Sequence, residues 1–204
     1  MSKISITPNA SGTGVFTISS PATSTDRTLT LPDEAGTVLT SAGVPSSAMP
    51  AGSVLQVLQA VKADTWSTTS NILADITGMS VSITPKSATN KILVIVQMTC
   101  GTGDSRMNVN LYRNSTGVYV GDTAGSRQRV SAMTTYTPNY QGSGMPIMIS
   151  YLDSPATTSS ITYKVMASSD SNGYATYVNR SGTDGDAAVF WRSTSSITVM
   201  EIAE

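Results

Sequence analysis

The 204-residue chain contains no histidine, and that absence removes a large share of enzyme chemistry. Ser-His-Asp and Cys-His nucleophiles cannot be assembled, and neither can a histidine-ligated zinc site. A hydrolase built from this sequence would have to work with carboxylates or an unusual base. Cysteine is almost absent as well. Cys100 stands alone, so no internal disulfide framework exists, and its place at the end of an apolar run reads as a small buried thiol. Charge is scarce, at 12% Asp, Glu, Lys and Arg, against roughly a quarter in ordinary domains. Twelve basic residues face 13 acidic ones for a net charge of −1. Nothing there neutralises a run of phosphates, so nucleic acid is not an expected partner. Long apolar runs are missing too. The longest, Ile92 to Val96, is too short to cross a bilayer. The start, MSKISI, lacks the basic-then-apolar pattern of a secretory leader. Neither membrane insertion nor secretion is expected.

What the chain does have is serine and threonine in place of charge. Threonine suits a pleated strand and serine a turn, so the composition points to a β-rich extracellular or virion protein. No heptad and no helical stripe is present. Short alternating segments recur at the spacing of a β-sandwich. They lie near Val54–Val61, Ile72–Ile76, Ser80–Thr84, Lys91–Cys100, Met107–Arg113, Val118–Gly121, Pro146–Leu152, Ile161–Ala167, Ala175–Val178, Ala187–Trp191 and Ser196–Ile202. In Lys91–Cys100 one face carries Ile92, Val94, Val96 and Met98 and the other Leu93 and Ile95. Such a strand is covered on both sides, by a second sheet or by a neighbouring subunit. In Ile161–Ala167 the set Ile161, Tyr163, Val165 and Ala167 faces inward, while Thr162, Lys164 and Met166 face water. The expected fold is all-β: an N-terminal extended ribbon or stem over residues 1–40, a Pro/Gly/Ser/Ala linker over 41–52, and a jelly-roll-like antiparallel β-sandwich head over 53–204.

The leading segment carries too little apolar surface to fold by itself, so it needs copies of itself or a docking surface. Its residues Phe16 to Ile18 (FTI), Pro21, and Arg27 to Leu39 (RTLTLPDEAGTVL) resemble, in order, the stem or anchor segment of virion structural proteins of tailed bacteriophages, marine and cyanobacterial ones in particular. Further motifs run through the remainder: Ala51–Val57, Leu111–Asn114 with Gly121–Arg127, Tyr151–Thr158, Val178–Ser181 and Ser195–Ile202. Together they resemble the heads that follow such stems in phage fibre, spike or decoration proteins. The resemblance implies a non-enzymatic homotrimer in the virion, made in the host cytoplasm. Its N-terminus would be held by other capsid or tail proteins and its head would face host-surface glycans. The same resemblance also fits a non-adhesive capsid decoration or cement protein. A carboxylate-dependent glycan depolymerase would need two acids about 5–10 Å apart at a groove, and no such pair stands out.

Candidate residues follow from these readings. Phe16, Ile18, Leu29, Leu31, Val38 and Leu39 are the apolar positions of the stem. Tyr136, Asn139, Tyr140, Gln141, Asp170, Tyr174 and Tyr177 cluster in loops, where flat rings beside hydrogen-bonding groups suit a glycan or cover a sandwich end or subunit seam. Trp66 and Trp191 read as core or seam residues. Asp122 and Arg127 belong either to a sugar or intersubunit site or to a tight turn in which Arg127 pairs with a carboxylate. Glu201 shares a face with Ile197 and Val199 and so needs a partner; the expectation is an ion pair with Arg127, Arg129, Arg180 or Arg192, the alternative being a frayed terminus. Asp170-Ser-Asn-Gly173 and Asp184-Gly-Asp186 look like calcium-loop fragments but lack the closing acid, and they read as turns. No catalytic residue, metal or cofactor is expected.

Overall fold

The computed structural model describes residues 10–15, 17, 22–26, 28, 48–102, 105–135 and 142–204. The chain divides into two units, Met1–Leu39 and Thr40–Glu204. The stem positions Phe16, Ile18, Leu29, Leu31, Val38 and Leu39 lie outside the described residues. The second unit is all-β, with every strand pairing antiparallel and no α-helix among the described residues. No helix there is long and apolar enough to cross a membrane.

One sheet contains β1 (Val54–Lys62), β2 (Trp66–Thr68), β4 (Lys91–Thr102), β8 (Gly144–Asp153), β10 (Thr176–Val178) and β11 (Ser195–Ile202). β4 pairs with β8 on one side and with β11 and then β10 on the other. β11 and β10 pair in turn with β1 and β2. The sheet therefore has four rows, β1/β2, β11/β10, β4 and β8. The second sheet has the rows β3 (Ala74–Ile83), β9 (Ile161–Ser169), β5 (Met107–Arg113) and an edge shared by β6 (Thr116–Val118) and β7 (Ala132–Met133).

The two sheets share one buried apolar cluster, and alternation explains why. On β4, Ile92, Val94, Val96, Met98 and Cys100 are all buried, while Leu93 and Ile95 on the other face are only half-covered. On β9, Ile161, Tyr163, Val165 and Ala167 enter the same cluster, as do Met107, Val109 and Leu111 of β5 and Ile197 and Val199 of β11. Burial of these side chains is the main force holding the sheets together, at about 1.5–3 kcal/mol for each fully buried large aliphatic group.

Three local readings change in the folded chain. The segments Ile72–Ile76 and Ser80–Thr84 merge into the single strand β3, interrupted by a register shift between Asp75 and Ser80. Gly78, at φ 85°, makes the break possible, since only glycine enters that backbone region cheaply. Val118–Gly121 is no strand of its own, because Tyr119 turns the chain at φ 52° directly after β6. Ala187–Trp191, a continuous apolar run in sequence, pairs with nothing as a strand. It belongs to a loop that leaves the sheet between β10 and β11.

Candidate functional site

That loop, residues 179–194, departs from the middle of a sheet row and returns to it, so its two ends must be closed against the ladder. Asn179 does this. It is fully buried, and its φ of 62° starts the departure. Its amide Nδ2 donates to the carbonyls of Lys62 (2.8 Å) and Asp64 (3.0 Å), which spans the gap between β1 and β2. Its Oδ1 accepts from Ser195 Oγ at 2.6 Å, on the far side of the loop. Its backbone N–H still donates to Thr99 of β4 at 2.9 Å, and its carbonyl accepts from Ser193 N–H at 3.1 Å.

Two glycines decide where the loop lies. Gly101 of β4 and Gly144 of β8 are direct cross-strand partners on the outer face of the first sheet. A Cβ on Gly101 would stand 2.0 Å from the Arg180 carbonyl oxygen, and one on Gly144 would stand 2.7 Å from the Trp191 ring. The bare backbone is thus the seat for the loop. Trp191 lies on it, its indole N–H donating to the Gly142 carbonyl at 2.9 Å.

Above this seat the charged residues gather. Asp184 accepts from Arg180 at 2.9 Å and also pairs closely with Arg192. The hydrogen bond from Arg192, with the charge of Arg180 beside it, holds the Asp184 carboxyl below its ordinary value. The Arg180 guanidinium also lies 4.0 Å over the Tyr177 ring, an arrangement that favours a cation over the ring's negative face. Asp184, Gly185, Asp186, Ala187, Phe190, Trp191 and Arg192 line an open hollow of about 320 Å³. It offers two half-buried aromatic rings beside an exposed acid, Asp186, and an exposed guanidinium, Arg192. Rings that stack and charged groups that bond hydroxyls in pairs are the chemistry of polyol recognition. Among the described residues no group of His, Cys, Asp and Glu could hold a metal ion.

The residues singled out from sequence are distributed differently from the expectation. Tyr136, Asn139, Tyr140 and Gln141 lie outside the described residues. Tyr177 joins the loop site through Arg180. Tyr174 is half-exposed in the turn before β10. Asp170, expected to face a ligand, is committed to the protein: it takes a close hydrogen bond from Ser105, one from the Arg106 N–H at 3.1 Å and one from Arg106 Nη1 at 3.0 Å. Burial pushes its carboxyl up, but these bonds outweigh that and leave it lowered.

The expected ion pair of Asp122, Arg127 and Glu201 is not formed among the described residues. Arg127 donates back to the Ala124 carbonyl at 3.3 Å, and both it and Asp122 are exposed. Glu201 is fully buried and held by neutral donors: Gln56 Nε2 (2.6 Å), Asn90 Nδ2 (2.6 Å) and the Lys86 backbone N–H (2.7 Å). Amides and a turn backbone solve the problem that an arginine was expected to solve. Sequence reasoning missed the loop site. Its one signal was Arg180, Asp184 and Arg192 bracketing a Gly-rich turn beside Phe190-Trp191, and that pattern was masked by the apparent strand.

No protein-family model matches the chain, and no curated protein sequence matches it.

Proposed function

We propose that the chain is a virion structural protein of a tailed phage, an N-terminally anchored homotrimeric fibre or spike whose head contacts host-surface glycans. The observation that carries this reading is the order of strands in the head, coming after a separate leading unit. Numbered along the chain as eight rows, the first sheet runs 1-8-3-6 and the second 2-7-4-5. That order supports a jelly roll, a fold found in viral capsid proteins and lectins. The division at Leu39 fits a stem that precedes a head, as the resemblance of Arg27–Leu39 implies. Fold alone does not assign function, so the glycan part rests on the hollow formed by Phe190, Trp191, Asp186 and Arg192. A narrow stem without a core of its own is satisfied when copies wrap one axis, and cyclic closure avoids open-ended filaments.

Two measurements test the reading. Immunogold labelling or particle imaging should find the chain at the surface of capsid or tail; its absence from purified virions would remove the proposal. Saturating purified protein should block adsorption of the phage, and Trp191→Ala should relieve the block by on the order of tenfold in concentration. Virion-bound protein that never competes for adsorption favours the decoration reading.

A further inference from the structure

The outer face of the first sheet is divided in two. At one end the loop covers the glycine pair. Among the described residues the other end is exposed, and an apolar line crosses it. Val57, Met200, Leu93 and Leu152 are direct partners across all four rows, forming one unbroken apolar line. The line two residues away, Gln59–Thr198–Ile95–Ser150, is mostly polar, and Val61, Ser196, Gln97 and Met148 form a further parallel line four residues from the first. Met148 is 71% exposed, Val61 61%, Val57 53% and Leu152 51%. Among the described residues, six of the twelve large exposed hydrophobics lie on β1 and β8, the two edges of this sheet. The second sheet has no counterpart, since its outer positions include Ser80, Ser82, Thr162 and Lys164.

We infer that this exposed sheet face, centred on the line Val57–Met200–Leu93–Leu152, is the surface that each head of the homotrimer turns toward the shared axis, where it packs against the other copies of this chain. The inference rests on the homo-oligomeric reading above and names its seam. Charge selects the occupant. From Lys91 to Gln97 the face carries a single charge, Lys91, and that is paired with Glu204 at 2.7 Å. A charged partner would find nothing to match, whereas a second uncharged face meets no repulsion and leaves no charge unpaired. Size defines the role. Four strands about 4.8 Å apart and seven residues at about 3.4 Å each give a footprint on the order of 450 Å². A standard stable interface buries about 800 Å² per partner. The face therefore holds heads together only weakly unless something else already keeps the copies close, and a shared stem raises their effective concentration in that way. The half-buried state of Leu93 and Ile95 fits as well, because their strand pattern calls for cover on both sides and the single chain supplies only one.

The test uses the full chain with a cysteine placed on the face. Cys100 does not interfere, being buried with its thiol pushed up to about 12. Met148→Cys should be joined between copies by a short bis-maleimide, while Ser82→Cys on the second sheet should not. As a second readout, sedimentation of Met148→Asp/Leu152→Asp should show self-association weakened on the order of 100-fold. If the chain is an oligomer but Met148→Cys links no better than Ser82→Cys and the double variant keeps its mass, another surface forms the seam. The face is then wrong while the homo-oligomer stands. If the wild-type chain is a monomer at every concentration, both readings fail. The same holds for a monomer in which Met148→Cys is shielded from alkylation by the chain's own leading unit.

Discussion

Glu201 and Asn179 show how single buried polar residues hold this sandwich closed. Glu201 sits among Ile197 and Val199 on the inner face of β11, and burial alone would raise its pKa. The hydrogen bonds from Asn90, Gln56 and the Lys86 and Ser87 backbone outweigh burial and lower it instead. A carboxylate with a lowered folded pKa stabilises fully above its ordinary value near 4.5, and that contribution is lost as pH falls through the folded value. Thermal unfolding followed by circular dichroism should thus show Tm dropping below about pH 4.5. Glu201→Gln should cost about 2–3 kcal/mol at neutral pH, because one accepting oxygen becomes an NH2 that faces a donor, and should flatten the acid limb. The lowered Asp170 and Asp184 leave some acid sensitivity behind. Asn179→Ala removes three side-chain hydrogen bonds at once and should cost about 2–4 kcal/mol. Asn179→Asp, which keeps the acceptor but loses both donations, should fall close to it. Of these two residues, the sequence showed that Glu201 faces inward and needs a partner, because strand alternation is local. Its partners lie up to 145 positions away, and no local pattern names them.

The strands themselves were largely legible. Lys91–Cys100, Met107–Arg113, Ile161–Ala167 and Ser196–Ile202 fold as strands with their alternating apolar sets inside, since side chains on a pleat point to opposite faces in turn. Ala187–Trp191 was misread for an instructive reason. It is an apolar run of strand length, but the bare backbone at Gly101 and Gly144 gives Arg180 and Trp191 somewhere better to lie. The loop's seat can be tested directly. Gly101→Ala places a methyl group into the Arg180 carbonyl and should cost about 2 kcal/mol. It should also free the loop, so that trypsin cleaves at Arg180 and Arg192 several times faster than in the wild type. Equal cleavage rates would mean that the glycine pair does not hold the loop.

At the scale of the whole molecule, a surface this poor in charge must handle its apolar area by contact. An exposed sheet face of several hundred Å², crossed by an apolar line, on a chain with 12% charged residues is a liability for a solitary molecule. If heads pack through that face, mass action stabilises the folded state. Tm should then climb as protein concentration rises from about 1 to about 100 μM, and the dependence should be weaker in Met148→Asp/Leu152→Asp. Differential scanning fluorimetry across that range reads it. A double variant with the same Tm and the same concentration dependence as the wild type would mean that the face contributes no association.

Period-two alternation, turn chemistry and the missing histidine determined by themselves that this would be an antiparallel β protein without histidine-based catalysis, because each is a property of neighbouring residues or of composition. Only the tertiary structure decided which rows meet, that one row breaks to carry the loop of Phe190 and Trp191, and that Glu201 is answered by amides. The physical reason is distance along the chain. Register and loop seating are set by contacts between segments many tens of residues apart, such as Gly101 with Arg180 and Gly144 with Trp191, and the energy of those contacts exists only once the sheets have closed.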